Sequence, residues 1–225
     1  MSTWSQLGFS DATSPIMEEF LLFHNMVMVF LTFITLSVGF LLGSLLFNKS
    51  IFSGLIEGQL LEWVWTLLPG VILLFVALPS LGLLYMYDES LDFSMTIKAV
   101  GHQWYWSYEY MDEVMSFDSF MESGINSMGF RLLSTDMPVV IPYQSMTQML
   151  VTSKDVLHSW TVPSFGVKAD AIPGRLNSLS LYSFRGGVFF GQCSEICGAN
   201  HSFMPIMLEA ISPEDFMKWL GADSL

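Results

Sequence analysis

The sequence predicts a two-helix membrane hairpin carrying one β domain. Three observations lead there. Two long runs, Met26 to Phe47 and Trp63 to Tyr87, hold 22 and 25 residues with no charged side chain. Beyond Tyr87 the chain turns into short segments rich in β-branched and aromatic residues, separated by turn formers. The whole chain is 52% hydrophobic and only 13% charged, with a mean hydropathy of +0.51, which is too apolar for an ordinary soluble domain.

Residues 1–25 form an N-terminal tail that carries Asp11, Glu18 and Glu19 and no Lys or Arg. A secretory signal needs a positive start, and a mitochondrial presequence is Arg-rich and acid-poor, so the first apolar run is expected to be retained as a span. Residues 26–47 form the first transmembrane helix and 63–87 the second, because about 20 apolar residues cross the hydrocarbon core. Pro69 and Pro79 lie in the second run. Spanning helices tolerate proline where neighbouring helices satisfy the freed backbone groups. Residues 48–62 connect the two, with Lys49 as the only base, which places this loop on the inner side by the positive-inside rule. Two spans put the tail and everything after Tyr87 on one face.

Residues 88–225 make the β domain. "MTIKAVGHQWYWSYEY", "MPVVIPY", "QMLVTS", "HSWTVPSF", "SLSLYSF", "GVFFGQC" and "PIMLEAI" read as strands, with "PSFG", "IPGR" and "RGG" as turns. Close spacing without a helical period predicts an antiparallel sandwich or barrel. "SPEDFMKWLGADSL" predicts a terminal helix, with Ser212 as N-cap, Pro213 at the first position, and Glu214 and Asp215 at the positive end of the dipole.

The chemistry concentrates in "CSEICGANHSFM", where both cysteines of the chain, Cys193 and Cys197, lie close to His201 and Met204. Thiolate, imidazole and thioether form a soft donor set that selects copper, zinc or iron–sulfur clusters, and a weak methionine beside His and Cys favours copper electron transfer. Zinc has no use for the Met, and a local disulfide between the cysteines would close a short loop. His158 in "KDVLHSW" supplies a second imidazole. Two thiols, two imidazoles and one thioether exceed the needs of one tetrahedral ion. They suit two copper ions bridged by both sulfurs, with the backbone carbonyl of Glu195 as the remaining weak donor. His24 and His102 lack such a context. In "GHQWYWSYEY", period two would place Trp104, Trp106, Tyr108 and Tyr110 on one face of a strand, with Tyr105 opposite.

These motifs, with "DAIPGRLN", "LYMYDE" and "LGFSDATSPIMEE", resemble subunit II of the mitochondrial cytochrome c oxidase along essentially the whole chain. The resemblance implies a membrane α + β protein: a two-helix transmembrane hairpin followed by a cupredoxin-like β-barrel with a dinuclear copper A centre. It implies copper ligands His158, Cys193, Glu195 (carbonyl), Cys197, His201 and Met204, and a magnesium ion on the Glu195 carboxylate at the border with subunit I. It implies that Trp104 receives the electron from cytochrome c and that haem in the catalytic subunit I receives it next, for reduction of oxygen to water coupled to proton pumping. Oxygen chemistry would belong to the complex, because no complete oxygen site can be assembled from this chain.

Residues from Asp88 onward hold 16 acidic and 7 basic side chains. Glu109, Asp112 and Glu113 flank the aromatic segment, and the resemblance adds Asp136 and Asp155, with Tyr105, to a docking patch for basic cytochrome c. Lys154 stands where the family often has an acid. Glu62 matches a position at a proton entrance. Expected partners are cytochrome c, subunit I, further oxidase subunits and membrane lipid. Nucleic acid is excluded, since a net charge of −13 has the wrong sign for phosphate. The expected location is the mitochondrial inner membrane, multi-pass, with both termini and the copper domain in the intermembrane space. The rival reading is a membrane-tethered copper carrier or assembly factor. A quinol oxidase subunit would have lost the copper ligands, and a nitrous-oxide reductase domain would lack the hairpin.

Overall fold

The computed structural model describes residues 4–51, 53–54, 56–89, 92–112, 115–122 and 129–222. The chain divides into two units, Met1–Glu18 with Glu89–Leu225, and Glu19–Asp88.

The smaller unit is helical. α1 (Pro15–Phe47) and α2 (Gln59–Asp88) each contain a window apolar enough to span a membrane, and none of either window is buried within the protein. Their outward Leu, Phe and Val side chains are what lipid, rather than water, would accept. α1 starts well ahead of the charge-free run. Ser14 caps it, its Oγ accepting the Met17 N–H at 3.1 Å, with Pro15 next and Glu18 in the first turn. Charge-free length therefore marks the stretch suited to hydrocarbon, while capping sets where the helix begins. α2 runs through Pro69 and Pro79. Leu22, Phe23 and Met26 of α1 line a cleft with Pro79, Leu83 and Met86 of α2.

In the larger unit the described residues form ten strands in three sheets. The first sheet has the order β3 (Met115–Ser119), β2 (Tyr105–Tyr110), β1 (Met95–His102), β5 (Thr147–Ser153), β8 (Asn177–Leu181). The second is β4 (Val139–Pro142), β10 (Pro205–Ile211), β9 (Gly187–Gln192), and the third pairs β6 (His158–Val162) with β7 (Val167–Ala171). Strict alternation builds the core. In β2, Trp106, Tyr108 and Tyr110 turn inward while Tyr105, Ser107 and Glu109 do not. In β5, Met149 and Val151 join them. Trp160 Nε1 donates to Tyr108 Oη at 3.3 Å, which pairs two large polar-tipped rings at the centre.

Two expectations need correction. The barrel is not wholly antiparallel: β1 pairs parallel with β5, and β10 parallel with β4. Alternation reports which face of a strand is buried, not its direction, and the chain between β1 and β5 is long enough for a parallel crossover. Trp104 is not a strand residue either. β1 and β2 are joined in register His102↔Tyr105, so Gln103 and Trp104 are consumed by the turn, and only Trp106, Tyr108 and Tyr110 share the buried face.

The terminal helix α3 (Pro213–Ala222) is capped as its sequence suggests, Asp215 N–H donating to Ser212 Oγ at 3.1 Å, and Phe216 is buried.

Candidate metal centre

β9 and β10 are sheet neighbours, with Gln192 opposite Pro205, so the chain between them must leave and return at one point. That return loop carries Cys193, Cys197, a short 3-10 helix His201–Phe203, and Met204. His158 comes from the first position of β6 and is fully buried. Cys193 and Cys197 are free thiols, 6% and 5% exposed. Ligand atoms of His158, Cys193 and Cys197 lie within 4.8 Å of one another. Cys193 Sγ stands 3.8 Å from His158 Nδ1 and 3.4 Å from the Glu195 carbonyl oxygen. Cys197 Sγ stands 3.5 Å from His201 Nδ1 and 3.5 Å from Met204 Sδ. All six sequence-predicted donors thus converge, and each sulfur has one imidazole and one weak donor beside it.

A ring of supports fixes the donors. Asp155 Oδ1 accepts from His158 Nε2 at 2.8 Å, which turns the Nδ1 lone pair toward the sulfur, and it also accepts the Val156 N–H. The Trp106 ring meets the His158 ring edge-on at 5.9 Å. Gly101 leaves the space the imidazole occupies: a Cβ there would come within 2.8 Å of His158 Cδ2.

The electrostatics follow. Burial drives the Cys193 thiol up, but its hydrogen bonding with His158 and with the backbone at Ser159 and Glu195 outweighs this and brings the group down to about 7. Burial and then the neighbouring Cys193 charge push Cys197 up to about 12. One thiol ionises near neutrality, and the second needs a cation to replace its proton, as a metal would. Burial opposes charge on His158, yet Cys193 and Asp155 hold its pKa above the ordinary imidazole value of 6.5. Burial likewise opposes the Asp155 charge, yet His158 and the Val156 and Gln103 N–H groups hold it below the ordinary 3.8.

The raised His158 contributes stability fully present below 6.5 and lost as pH rises through its folded value. The lowered Asp155 contributes stability present above 3.8 and lost as pH falls through its own. The pair thus supports the metal-free fold best between those values. Asp155→Asn is expected to move the His158 titration to lower pH, read by the imidazole NMR signals of the metal-free chain. An unmoved titration would remove Asp155 from this role.

Other sequence-predicted residues are scattered more widely. Trp104 is half-buried at the β1–β2 turn, its indole lying over Gly198, whose φ is +133°. Tyr105 is stacked between His102 and Phe120, both at 4.5 Å. Tyr105 and Glu109 line an open groove of about 790 Å3 with Lys98, His102, Asp118 and Lys154, and Glu109 is paired with Lys98 at 3.0 Å. Asp112 is at the opposite end of β2, accepting the Thr96 N–H, and Asp136 accepts the Phe120 N–H. Asp155 is occupied by the histidine. Glu113 lies outside the described residues. Glu62 is exposed in the first turn of α2. Sequence reasoning missed Gln103, Phe120, Asp118 and Gly101. The missing side chains at Gly101 and Gly198 were the local signals of a close approach.

Residues 95–211 match the family profile described as cytochrome c oxidase subunit II, periplasmic domain, and residues 2–83 match cytochrome c oxidase subunit II, transmembrane domain. Cytochrome c oxidase subunit 2 of Drosophila simulans and that of Drosophila melanogaster are each 51% identical over 227 residues, covering 100% of both chains. The crystal structure of the periplasmic domain of subunit II of cytochrome oxidase from Bradyrhizobium japonicum is 42% identical. It covers 60% of this chain and 96% of that one, with a TM-score of 0.56.

Proposed function

Because this chain belongs to the cytochrome c oxidase subunit II family, we propose that it accepts electrons from reduced cytochrome c at a dinuclear copper A centre and passes them to haem in subunit I. The observation that carries this reading is the convergence of two buried thiols, two imidazole Nδ1 atoms, a thioether and a carbonyl oxygen at one loop. A pair of copper ions held by His158, Cys193, Cys197, His201, Met204 and the Glu195 carbonyl would supply one-electron chemistry there.

His158 and His201 present Nδ1 to the site, and Asp155 keeps the proton of His158 on Nε2. Met204 is 1% exposed and His158 fully buried with the Trp106 ring edge-on to it, so these donors are kept from water. A dry, pre-set cavity limits rearrangement when charge changes. Trp104, at the surface side of the loop, is the receiving side chain. In the groove beside Tyr105, Lys98 engages Glu109 and Lys154 adds a second cation, so Asp118 is the acid left there to meet a basic partner. A magnesium ion at the border with subunit I would take the Glu195 carboxylate as a ligand, and Glu62 would serve a proton entrance. The protein resides in the mitochondrial inner membrane, with the copper domain in the intermembrane space. A copper carrier would need accessible thiols to hand metal on, and these two are buried.

The test is a metal count with electron paramagnetic resonance on the copper-loaded chain. The expected result is two copper atoms sharing one unpaired electron. One copper, or zinc, would overturn the reading.

A further inference from the structure

We propose that Gln103 is a positioning residue for electron uptake, tying the Trp104 turn to both sides of the metal loop. The proposal rests on Trp104 being the receiving side chain. Gln103 reaches the centre twice. Its backbone N–H donates to Asp155 Oδ2 at 2.6 Å, on the carboxylate whose other oxygen holds His158. Its side-chain Nε2 donates to the carbonyl oxygen of Cys197 at 2.7 Å. One residue therefore links the turn to a histidine ligand across one carboxylate, and to a cysteine ligand through that cysteine's own backbone.

Trp104 needs this help. Among the described residues its buried Nε1 has no hydrogen-bond partner, so the indole has no polar anchor of its own. It is held by contact with the Gly198 backbone: a Cβ on Gly198 would stand 3.1 Å from Trp104 Cζ2, 3.2 Å from Trp104 Nε1 and 3.2 Å from Gln103 Nε2. The Gln103 amide and the indole thus share one small surface, the residue following Cys197. A ring held only by packing on a two-residue turn slides when the turn loosens. The Gln103 side-chain bond fixes the turn to the loop, and hence the gap the electron crosses. Gln103 itself gains and loses neither electron nor proton.

The test uses the assembled oxidase with Gln103→Met, which keeps length and volume but cannot donate. The rate of electron uptake at saturating reduced cytochrome c is expected to fall about tenfold, as misplacement by a fraction of an ångström can cause. KM for cytochrome c, the copper count and the resonance spectrum stay as in the parent. Amide exchange in residues 101–105, read by mass spectrometry, rises. A higher KM with an unchanged maximal rate would make Gln103 a docking residue and overturn the proposal, as would an unchanged rate with unchanged exchange. Trp104→Phe separates the two layers of the argument. If it slows uptake while Gln103→Met does not, only the positioning role fails. If it leaves uptake at the parental rate, the assignment of Trp104 fails and the proposal with it.

Discussion

Replacing Cys193 or Cys197 by serine, singly, is expected to abolish the shared-electron resonance signal and lower oxygen consumption of the oxidase by at least about 100-fold. Both thiols are buried, and each has its own imidazole and weak donor. A serine hydroxyl is a hard, protonated group at neutral pH and a poor match for a soft metal. Neither cysteine can cover for the other, because each anchors a different histidine. Residues that act as one unit give non-additive losses, so the double variant is expected to be no worse than either single one. Resonance spectra and an oxygen electrode decide it. A single variant that kept its signal and respiration would remove the bridging arrangement.

Gly101→Ala is expected to lower copper affinity about 10- to 100-fold without replacing any ligand. Gly101 pairs with Trp106 on one side and Ser153 on the other, so its strand cannot easily retreat. The new Cβ would lie 2.8 Å from His158 Cδ2 and 3.0 Å from Cγ, and that ring is fully buried, held by Asp155 at one edge and faced by Trp106. Overpacking of this kind costs about 1–3 kcal/mol of fold stability. Competition with a copper chelator measures the first effect and thermal unfolding of the metal-free chain the second. Undiminished copper retention would mean that the strand yields and the imidazole does not depend on this gap.

The hairpin was legible because charge-free length is a local property, and the donor loop because four of its side chains lie in twelve consecutive residues. His158 was legible only through that loop's chemistry, since a histidine in a strand carries no such signal by itself. What escaped was non-local. Nothing in the Met95–His102 segment shows that its second neighbour is Thr147–Ser153, running parallel. Nothing around Gln103 announces a bond to Cys197. The charge count found acids near the aromatic segment, yet it could not show that Asp155 is committed to His158, Asp112 to the Thr96 amide, or Glu109 to Lys98. The space at Gly101 belongs to a ring from another sheet, and a sequence shows only that a side chain is missing.

The parallel pairings have a consequence for how the chain matures. Met95 must find Thr147, and Val139 must find Leu208, before either sheet is complete. Contacts between such distant segments are late and slow to form, because loop closure comes before any gain from pairing. His158 stands on one sheet and the cysteine loop bridges two strands of another, so the donors have no common address in the nascent chain. Before those pairings form, the two cysteines lack the burial that the folded domain gives them, and thiols in that state are open to oxidation.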